Sequence, residues 1–326
     1  MPSRRIEQQL ESLKSLRERG PTEETVLALR KALGDRVNLV IAKAAGIAAE
    51  MQLTSLVPDL LNAFGKLFEN AVHADPQCWG KNALSKALKD LEYSGSGAFV
   101  RGLQHVQMEP VWGKRVDTAA VLRGTCALAL VQSTDLPRQE KLRCLVDTLA
   151  DPEAPVRIDA ARAIREMEGI EAALLLRLKA LVGDLDARVI GQVLESFLGI
   201  EGETGVPFVS GFLSSGMDEV REEAALALGV SRLPGAVTAL ITAWNQTLAP
   251  SLREVILRVL STSRQQSAVE FLLKTVREGH ERDALAALQA LEPQGRSTDV
   301  HTQIGEAVQT RSETAIHDYF RKHFLR

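Results

Sequence analysis

Basic side chains occur at the start of one predicted helix after another, and they are the first candidates for chemistry. The row consists of Lys81, Arg123, Arg157, Arg221 and Arg253, with Arg188 close to the same position. Arg and Lys bind carboxylates and phosphates, so this row could grip an anionic partner. Asp75, Asp117 and Asp151 each precede one of these residues by six positions. We therefore favour pairing of each basic side chain with a turn aspartate, which also satisfies open helix ends.

The three tryptophans are the second candidates. Trp79 lies two residues before Lys81, and Trp112 lies in a predicted loop, Pro110–Arg115. Aromatic rings beside cations can stack on bases or line a ligand pocket. Trp244 lies on an apolar helix face, which predicts a core position. For Trp79 and Trp112 packing is the favoured interpretation, and a binding surface is the alternative.

No constellation of residues predicts a catalytic centre. His73, Asp75 and Cys78 are close in sequence, but a metal site needs three or four converging ligands and no second pair lies nearby. Gly95-Ser96-Gly97 lacks the following Gly-Lys-Ser/Thr and the preceding strand of a phosphate-binding loop, so a turn is the better interpretation. We expect no catalytic residue, no metal and no cofactor.

Composition restricts the function classes. The chain has 326 residues, of which 45% are hydrophobic, and a net charge of −3. This charge argues against a dominant polyanion-binding surface, although it leaves room for a local basic groove. The widely spaced Cys78, Cys126 and Cys144 predict reduced core thiols in a cytoplasmic protein. No stretch reaches the roughly 18 apolar residues of a membrane span, so we expect no membrane association.

An internal repeat predicts the elements that hold these residues. The template is an apolar residue, usually a basic residue next, and small or apolar residues four, five, seven and eight positions on, with fainter copies that begin at Val37, Gly80 and His280. The copies begin at residues 37, 80, 122, 156, 189, 220, 252 and 280. These offsets lie mainly on one face of a helix, so each copy predicts an amphipathic helix with a seam of small residues. The period is about 32 residues in the second half and about 42 in the first.

A further helical pattern precedes the copies, as at Leu174, Leu175, Leu178 and Leu181, and turn residues such as Pro234-Gly235 separate them. Helix, turn, helix, turn predicts an all-α array of helical hairpins whose stacking supplies the core. The predicted organisation is one array over residues 1–326, with an N-terminal cap at 1–33, longer-period repeats at 34–115, regular repeats at 116–295 and a C-terminal cap at 296–326.

The turn and the second helix of these hairpins resemble the HEAT repeat. The matching residues are Asp151-Pro152, Val156-Arg157, Ala160-Ala161, Ala163 and Ile164. The resemblance covers roughly residues 30–295. It departs where Ile190 takes the basic position and where no aspartate lies six positions before Arg221 or Arg253. It implies a right-handed α-α superhelix, or solenoid, of about eight hairpins with capping helices at both ends.

The resemblance implies a non-catalytic protein-binding scaffold or adaptor that uses the concave surface lined by the second helices. The candidate binding residues are Trp79, Lys81, Lys86, Trp112, Arg123, Arg157, Arg162, Arg188, Arg221 and Arg253. Charges of both signs on these helices suit a protein or peptide partner, and reversing Arg157 and Arg162 should abolish binding. HEAT-like folds are also similar to alkylpurine DNA glycosylases and bilin lyases. A DNA-binding protein or such an enzyme is therefore the alternative, although the glycosylases' catalytic set does not map onto this chain.

Overall fold

A computed structural model describes residues 4–111, 113–295 and 297–325. Within these ranges the chain is helical, apart from one two-stranded sheet. The predicted all-α array of helical hairpins is confirmed. The chain divides into two compact units, Met1–Met167 (unit 1) and Glu168–Arg326 (unit 2).

Unit 1 begins with a helix that packs on the third helix and then continues as hairpins. Its elements are α1 (Arg4–Arg19), α2 (Glu23–Leu33), α3 (Asn38–Glu50), α4 (Val57–Lys66), α5 (Ala71–Ala74), α6 (Trp79–Asp90), α7 (Gly97–Leu103), β1 (Met108–Val111), β2 (Lys114–Asp117), α8 (Ala120–Leu130), α9 (Arg138–Leu149) and α10 (Ala154–Met167). Short 3-10 helices at Thr54–Leu56 and Pro76–Cys78 lead into α4 and α6.

Unit 2 has the same alternation of helices. Its elements are α11 (Gly169–Val182), α12 (Ala187–Glu201), α13 (Val206–Ser210), α14 (Asp218–Ser231), α15 (Pro234–Gln246), α16 (Pro250–Thr262), α17 (Gln266–Glu278), α18 (Glu281–Leu291), α19 (Thr298–Gln309) and α20 (Thr314–Phe324). Short 3-10 helices lie at Gly202–Gly205, Gly211–Ser214 and Glu292–Gln294. Among the described residues of both units, no helix has the length and apolar character needed to span a membrane.

The predicted second helices exist at all eight repeat positions. They are α3, α6, α8, α10, α12, α14, α16 and α18, and none begins more than two residues from its predicted start. Local sequence explains several of these starts. Asp186 caps α12 by accepting a hydrogen bond from the backbone N–H of Arg188 (3.0 Å), and Pro250 opens α16 at a position where a missing N–H costs nothing.

Small side chains set the packing between neighbouring second helices. In unit 1, α3 packs on α6, α6 on α8 and α8 on α10, and in unit 2 α12, α14, α16 and α18 pack in the same order. The buried alanines of these helices include Ala44, Ala45, Ala87, Ala127, Ala160, Ala161, Ala224 and Ala225. Gly124 and Gly191 occupy equivalent positions, where a Cβ would meet the carboxylates of Asp159 and Glu223 on the next second helix. The predicted small-residue seam is confirmed.

The segment predicted as a loop at Pro110–Arg115 is instead part of a β-hairpin. Strands β1 and β2 pair antiparallel, with Met108 opposite Asp117 and Val111 opposite Lys114. At the end of the hairpin away from its turn, the backbone N–H of Thr118 donates a hydrogen bond to the carbonyl of Gln107 (2.9 Å). The loop prediction was wrong because two strands of four residues are too short for a clear alternating pattern, and Pro110 is a poor strand former.

Candidate functional site

Lys81, the first member of the basic row, is held inside unit 1 by Asp75. The two side chains are fully buried and form an ion pair with Nζ–Oδ2 of 3.0 Å. Asp75 also accepts hydrogen bonds from the backbone N–H groups of Gly80 (2.7 Å) and Lys81 (2.9 Å), which are open donors in the first turn of α6. Lys81 Nζ donates further to the carbonyl of Leu67 (3.2 Å). The aspartate therefore fixes both the turn and the cation.

Arg123, at the start of α8, joins two successive turns. Its guanidinium pairs with Asp117 of its own hairpin (2.6 Å) and with both carboxylate oxygens of Asp151 in the next hairpin (2.7 and 3.0 Å). It also donates to the carbonyl of His105 (2.9 Å). Burial opposes ionisation of Asp117. Hydrogen bonds from the backbone N–H groups of Gln107 and Ala119, together with Arg123, nevertheless hold the pKa of Asp117 below its usual value.

Glu109, on β1, is a buried carboxylate that sequence reasoning missed. It accepts hydrogen bonds from the backbone N–H of Gln77 (2.8 Å), from Gln107 Nε2 (2.6 Å) and from Thr118 Oγ1 (2.6 Å). Burial opposes its ionisation, but these donors lower the pKa of Glu109. Gln107 Nε2 also donates to the carbonyl of Asp75 (2.8 Å). The hairpin is thus attached to the turn before α6, and the only sequence signal was an acidic residue among apolar ones.

These contacts form one buried polar network in unit 1. Its members are Asp75, Lys81, Gln107, Glu109, Asp117, Thr118, Arg123 and Asp151. Burial raises the pKa of the nearby Cys78 thiol to about 12, which favours its protonated form. The network's donors and acceptors bind one another, so its role is to join successive hairpins.

The prediction that Lys81 and Arg123 contribute to an exposed binding face is wrong. Lys81 has no exposed surface, and Arg123 is 2% exposed. The physical reason is that a buried cation must be paired, and turn aspartates lie within reach of both side chains. The favoured structural interpretation, in which the basic residue binds the aspartate of its own or a neighbouring hairpin, is confirmed at these two positions.

The other members of the basic row are more exposed. Arg157 donates to the backbone carbonyls of Asp151 (2.7 Å) and Pro152 (2.8 Å), so it binds the predicted turn. Arg188 pairs with Asp186, two residues away (2.6 Å), and Arg221 pairs with Asp218 of its own helix. No pairing of the Arg123 kind, with an aspartate of the next hairpin, is seen for Arg188 or Arg221 in the described part of unit 2.

Arg253 uses a different aspartate from the one that the repeat predicts. No aspartate precedes it at six positions, and its guanidinium instead pairs with Asp283 of the next hairpin (2.6 Å). The same guanidinium donates to the carbonyls of Trp244 (3.0 Å) and Thr247 (3.3 Å). It also lies over the Trp244 ring, 3.6 Å from the centroid. Arg253 therefore links two hairpins of unit 2 as Arg123 does in unit 1.

The tryptophans occupy dissimilar places. Trp79 opens α6 and is 47% exposed, so it is available at the surface. Trp244, predicted as core, is only partly buried, and its ring contacts Phe271 edge-on with 5.3 Å between centroids. Trp112 lies outside the described residues. The predicted use of Trp79 and Trp112 in binding is not tested by these positions.

Lys86 and Arg162 are exposed on second helices of unit 1, as a binding face requires. Lys86 borders a groove between α3 and α6, with a volume of about 430 Å³. The groove lining comprises Gly46, Ala49 and Glu50 of α3, Gln52 in the turn after it, and Ala83, Lys86, Ala87 and Asp90 of α6. A smaller groove of about 160 Å³ lies between α16 and α18 in unit 2. Neighbouring second helices thus leave room between them on their exposed side.

The described part of the chain contains no group of three or more His, Cys, Asp or Glu residues arranged to hold a metal ion. Asp75, which the sequence places between His73 and Cys78, is committed to Lys81 and to two backbone N–H groups. The arrangement of this segment is that of a helix-capping turn.

Comparisons with known proteins do not assign a family. No family model and no curated protein matches the chain. Among solved structures, human deoxyhypusine hydroxylase in complex with glycerol aligns over 81% of this chain and 92% of its own, with 19% identity and a TM-score of 0.31. The complex of CpcE and CpcF of phycocyanin lyase from Nostoc sp. PCC7120 aligns over 76% and 93%, with 16% identity and a TM-score of 0.37. Likeness at this level carries no inference about function.

Proposed function

We propose that the chain is a HEAT-type protein-binding scaffold or adaptor, and that a peptide segment of its partner lies along the exposed side of the second helices. The observation that carries this proposal is the groove between α3 and α6. Its volume of about 430 Å³ is in the range of binding clefts. A groove of this size holds a few side chains of an extended or helical peptide segment. A folded partner domain would bind here only through such a segment.

The groove floor supports a peptide because it is lined by small side chains. Ala49 and Ala87 are buried, Ala83 is partly exposed, and Gly46 has open space where a Cβ would point. Small residues let another backbone approach a helix closely, and they leave apolar surface for its side chains to cover.

The groove rim supports a partner of mixed charge. Lys86 pairs with Asp90, and Glu50 pairs with Arg17 (2.8 Å), both as exposed ion pairs. Exposed pairs contribute little to stability, so a partner can exchange them at small cost. A rim of both signs orients a peptide that carries complementary charges, and it disfavours a uniformly anionic polymer.

The test fills the groove without disturbing the core. Gly46→Gln places a long polar side chain in open space on α3, and it raises helix propensity there. Gly97→Gln is the matched control, because Gly97 also has open space and lies on α7, outside the groove lining. The immobilised wild-type protein and both variants are used to capture proteins from native extract, followed by quantitative mass spectrometry. We expect proteins that the wild type and Gly97→Gln retain and that Gly46→Gln loses at least about tenfold, or 1.4 kcal/mol.

If the wild type and both variants capture the same proteins equally well, the groove between α3 and α6 is not the binding site. Charge reversal gives a second measurement. The variants Lys86→Glu and Arg162→Glu should bind the same partners more weakly. Arg157 is left in place, because its guanidinium holds the turn carbonyls of Asp151 and Pro152. A gel-shift with duplex DNA tests the alternative function, since tight binding that falls steeply with salt would favour a nucleic-acid binder.

A further inference from the structure

Helix α11, the first helix of unit 2, exposes large aliphatic side chains on its solvent side. These residues form what we term the α11 seam: Ile170, Leu174, Leu178, Leu181 and Val182 on the helix, and Leu185 in the turn after it. Their exposed fractions lie between 57% and 103%. Single exposed leucines are ordinary, but a contiguous aliphatic patch marks an interaction site.

The spacing of the seam shows that the exposure belongs to one face of the helix. Ile170, Leu174, Leu178 and Leu181 follow each other at intervals of four, four and three residues, which places them in one row. The opposite face is already used, since Ala172 and Leu176 are buried and α11 packs on α12. An aliphatic row on a helix is normally covered by another element or by a partner.

Other first helices of the array do not share this property. On α17 the exposed positions include Glu270, Lys274 and Arg277, while Leu272 and Val276 are buried. This is the usual division between a solvated polar face and a buried apolar face. The seam is therefore specific to α11 and is no general consequence of stacking hairpins.

Two charged residues of α11 make contacts within unit 2. The Arg177 guanidinium stacks over Phe208 at 3.9 Å from the ring centroid, and Lys179 pairs with Asp184 (2.7 Å). Glu171 and Arg177 are exposed on the two sides of the aliphatic row, so the rim of the patch carries one charge of each sign. An uncharged aliphatic row is complementary to another row of the same kind.

The apolar area of the seam is large enough for the core of a small dimer interface. An aliphatic side chain contributes roughly 100 Å² of apolar surface, so the exposed fractions correspond to roughly 400 Å² per copy. Homodimer interfaces are about two-thirds apolar, so this core implies a patch of roughly 600 Å² per copy with its polar rim. Two copies then bury about 1,200 Å² together, the lower end of the standard size.

We propose that the α11 seam is a homodimer interface, in which the α11 helices of two copies pair about a two-fold axis. A two-fold interface uses the same patch on both subunits, and a straight aliphatic row satisfies this requirement. Leucine side chains of one row fit between those of the other, as in helix pairs generally. The proposal does not depend on the groove between α3 and α6, which belongs to unit 1.

The test is the mass of the protein in solution by sedimentation equilibrium, over a range of concentrations up to about 100 µM, where an interface of this size is expected to associate. We expect the wild type to approach twice its monomer mass of 35.5 kDa. The double variant Leu174→Gln, Leu178→Gln should remain monomeric and folded, because both side chains are exposed. Leu27→Gln is the matched control, since Leu27 is 61% exposed on α2 in unit 1, and this variant should dimerise as the wild type does.

Three results would overturn the proposal. One is a wild type that stays monomeric throughout the concentration range. A second is a dimer that the double variant leaves intact. A third is a wild type that remains monomeric alone but sediments with vesicles of phosphatidylcholine and phosphatidylserine, which would assign the seam to a lipid surface. Failure of the scaffold proposal is distinguishable from failure of this one, because the Gly46→Gln variant should dimerise normally whether or not it still captures a partner.

Discussion

The same repeat position has opposite environments in the two units. Arg123 in unit 1 and Arg221 in unit 2 both follow the apolar residue that opens a repeat. Arg123 is buried between Asp117 and Asp151, whereas Arg221 is partly exposed and pairs with Asp218 of its own helix. The repeat therefore supplies the cation, while the turn aspartates of its own and the next hairpin decide whether it becomes part of the core.

The largest expected effect comes from removing the buried cation. Arg123→Met leaves Asp117 and Asp151 close together and without a counter-charge, so the free energy of unfolding should fall by about 3–5 kcal/mol. Urea denaturation followed by circular dichroism measures this change. Arg221→Met is the matched control, with an expected loss below about 1 kcal/mol, because its pair is exposed. Similar losses for both variants would contradict the comparison.

An intermediate effect is expected at Arg253, which links two hairpins but keeps some exposure. Arg253→Met removes hydrogen bonds to Asp283 and to the carbonyls of Trp244 and Thr247. The free energy of unfolding should fall by about 1.5–3 kcal/mol, the usual range for hydrogen bonds that involve a charge. The loss of the cation over Trp244 should also change the emission of that indole. If Arg253→Met lost as much unfolding free energy as Arg123→Met, the exposure of the arginine would not determine how much it stabilises the protein.

The smallest effect concerns pH. Burial, followed by repulsion from Asp186, raises the pKa of Glu223, whereas the pKa of Asp117 is lowered. A raised carboxyl pKa means that the folded state binds the proton more tightly, so stability falls as pH rises from the unfolded pKa through the folded one. Glu223→Gln should therefore stabilise the protein at pH 7 by less than about 1 kcal/mol.

Denaturation midpoints measured from pH 7 downwards check the sign of this effect. The gain from Glu223→Gln should shrink as the pH falls through the raised folded pKa of Glu223 towards its unfolded value of about 4.3, because the carboxyl becomes protonated in the folded state first. Asp117 acts in the opposite direction, since its contribution is present above its unfolded pKa and is lost as the pH falls through its folded pKa. A gain that grows on acidification would show that the pKa of Glu223 is not raised.

Much of the fold followed from the sequence, while the site followed only in part. The repeat placed α10 and α14 correctly, because Val156 and Val220 each begin a row of small residues with helical spacing. It failed at β1 and β2, whose pairing is too short to leave a pattern. Lys86 and Arg162 are exposed as expected, but no sequence signal marked Gly46, and the position of Glu109 among apolar residues did not reveal its partners, which the tertiary structure supplies.

The sequence by itself determined the all-α class, the order of the helices and the small-residue faces, because the spacing of apolar and small residues is a local property of the chain. Only the tertiary structure decided which charges are buried. Arg123 meets Asp151 across 28 positions and Arg253 meets Asp283 across 30, so each pair forms only when one hairpin stacks on the next. The exposure of α11 was decided in the same way, since its leucines look like core in the sequence and nothing else in unit 2 covers them.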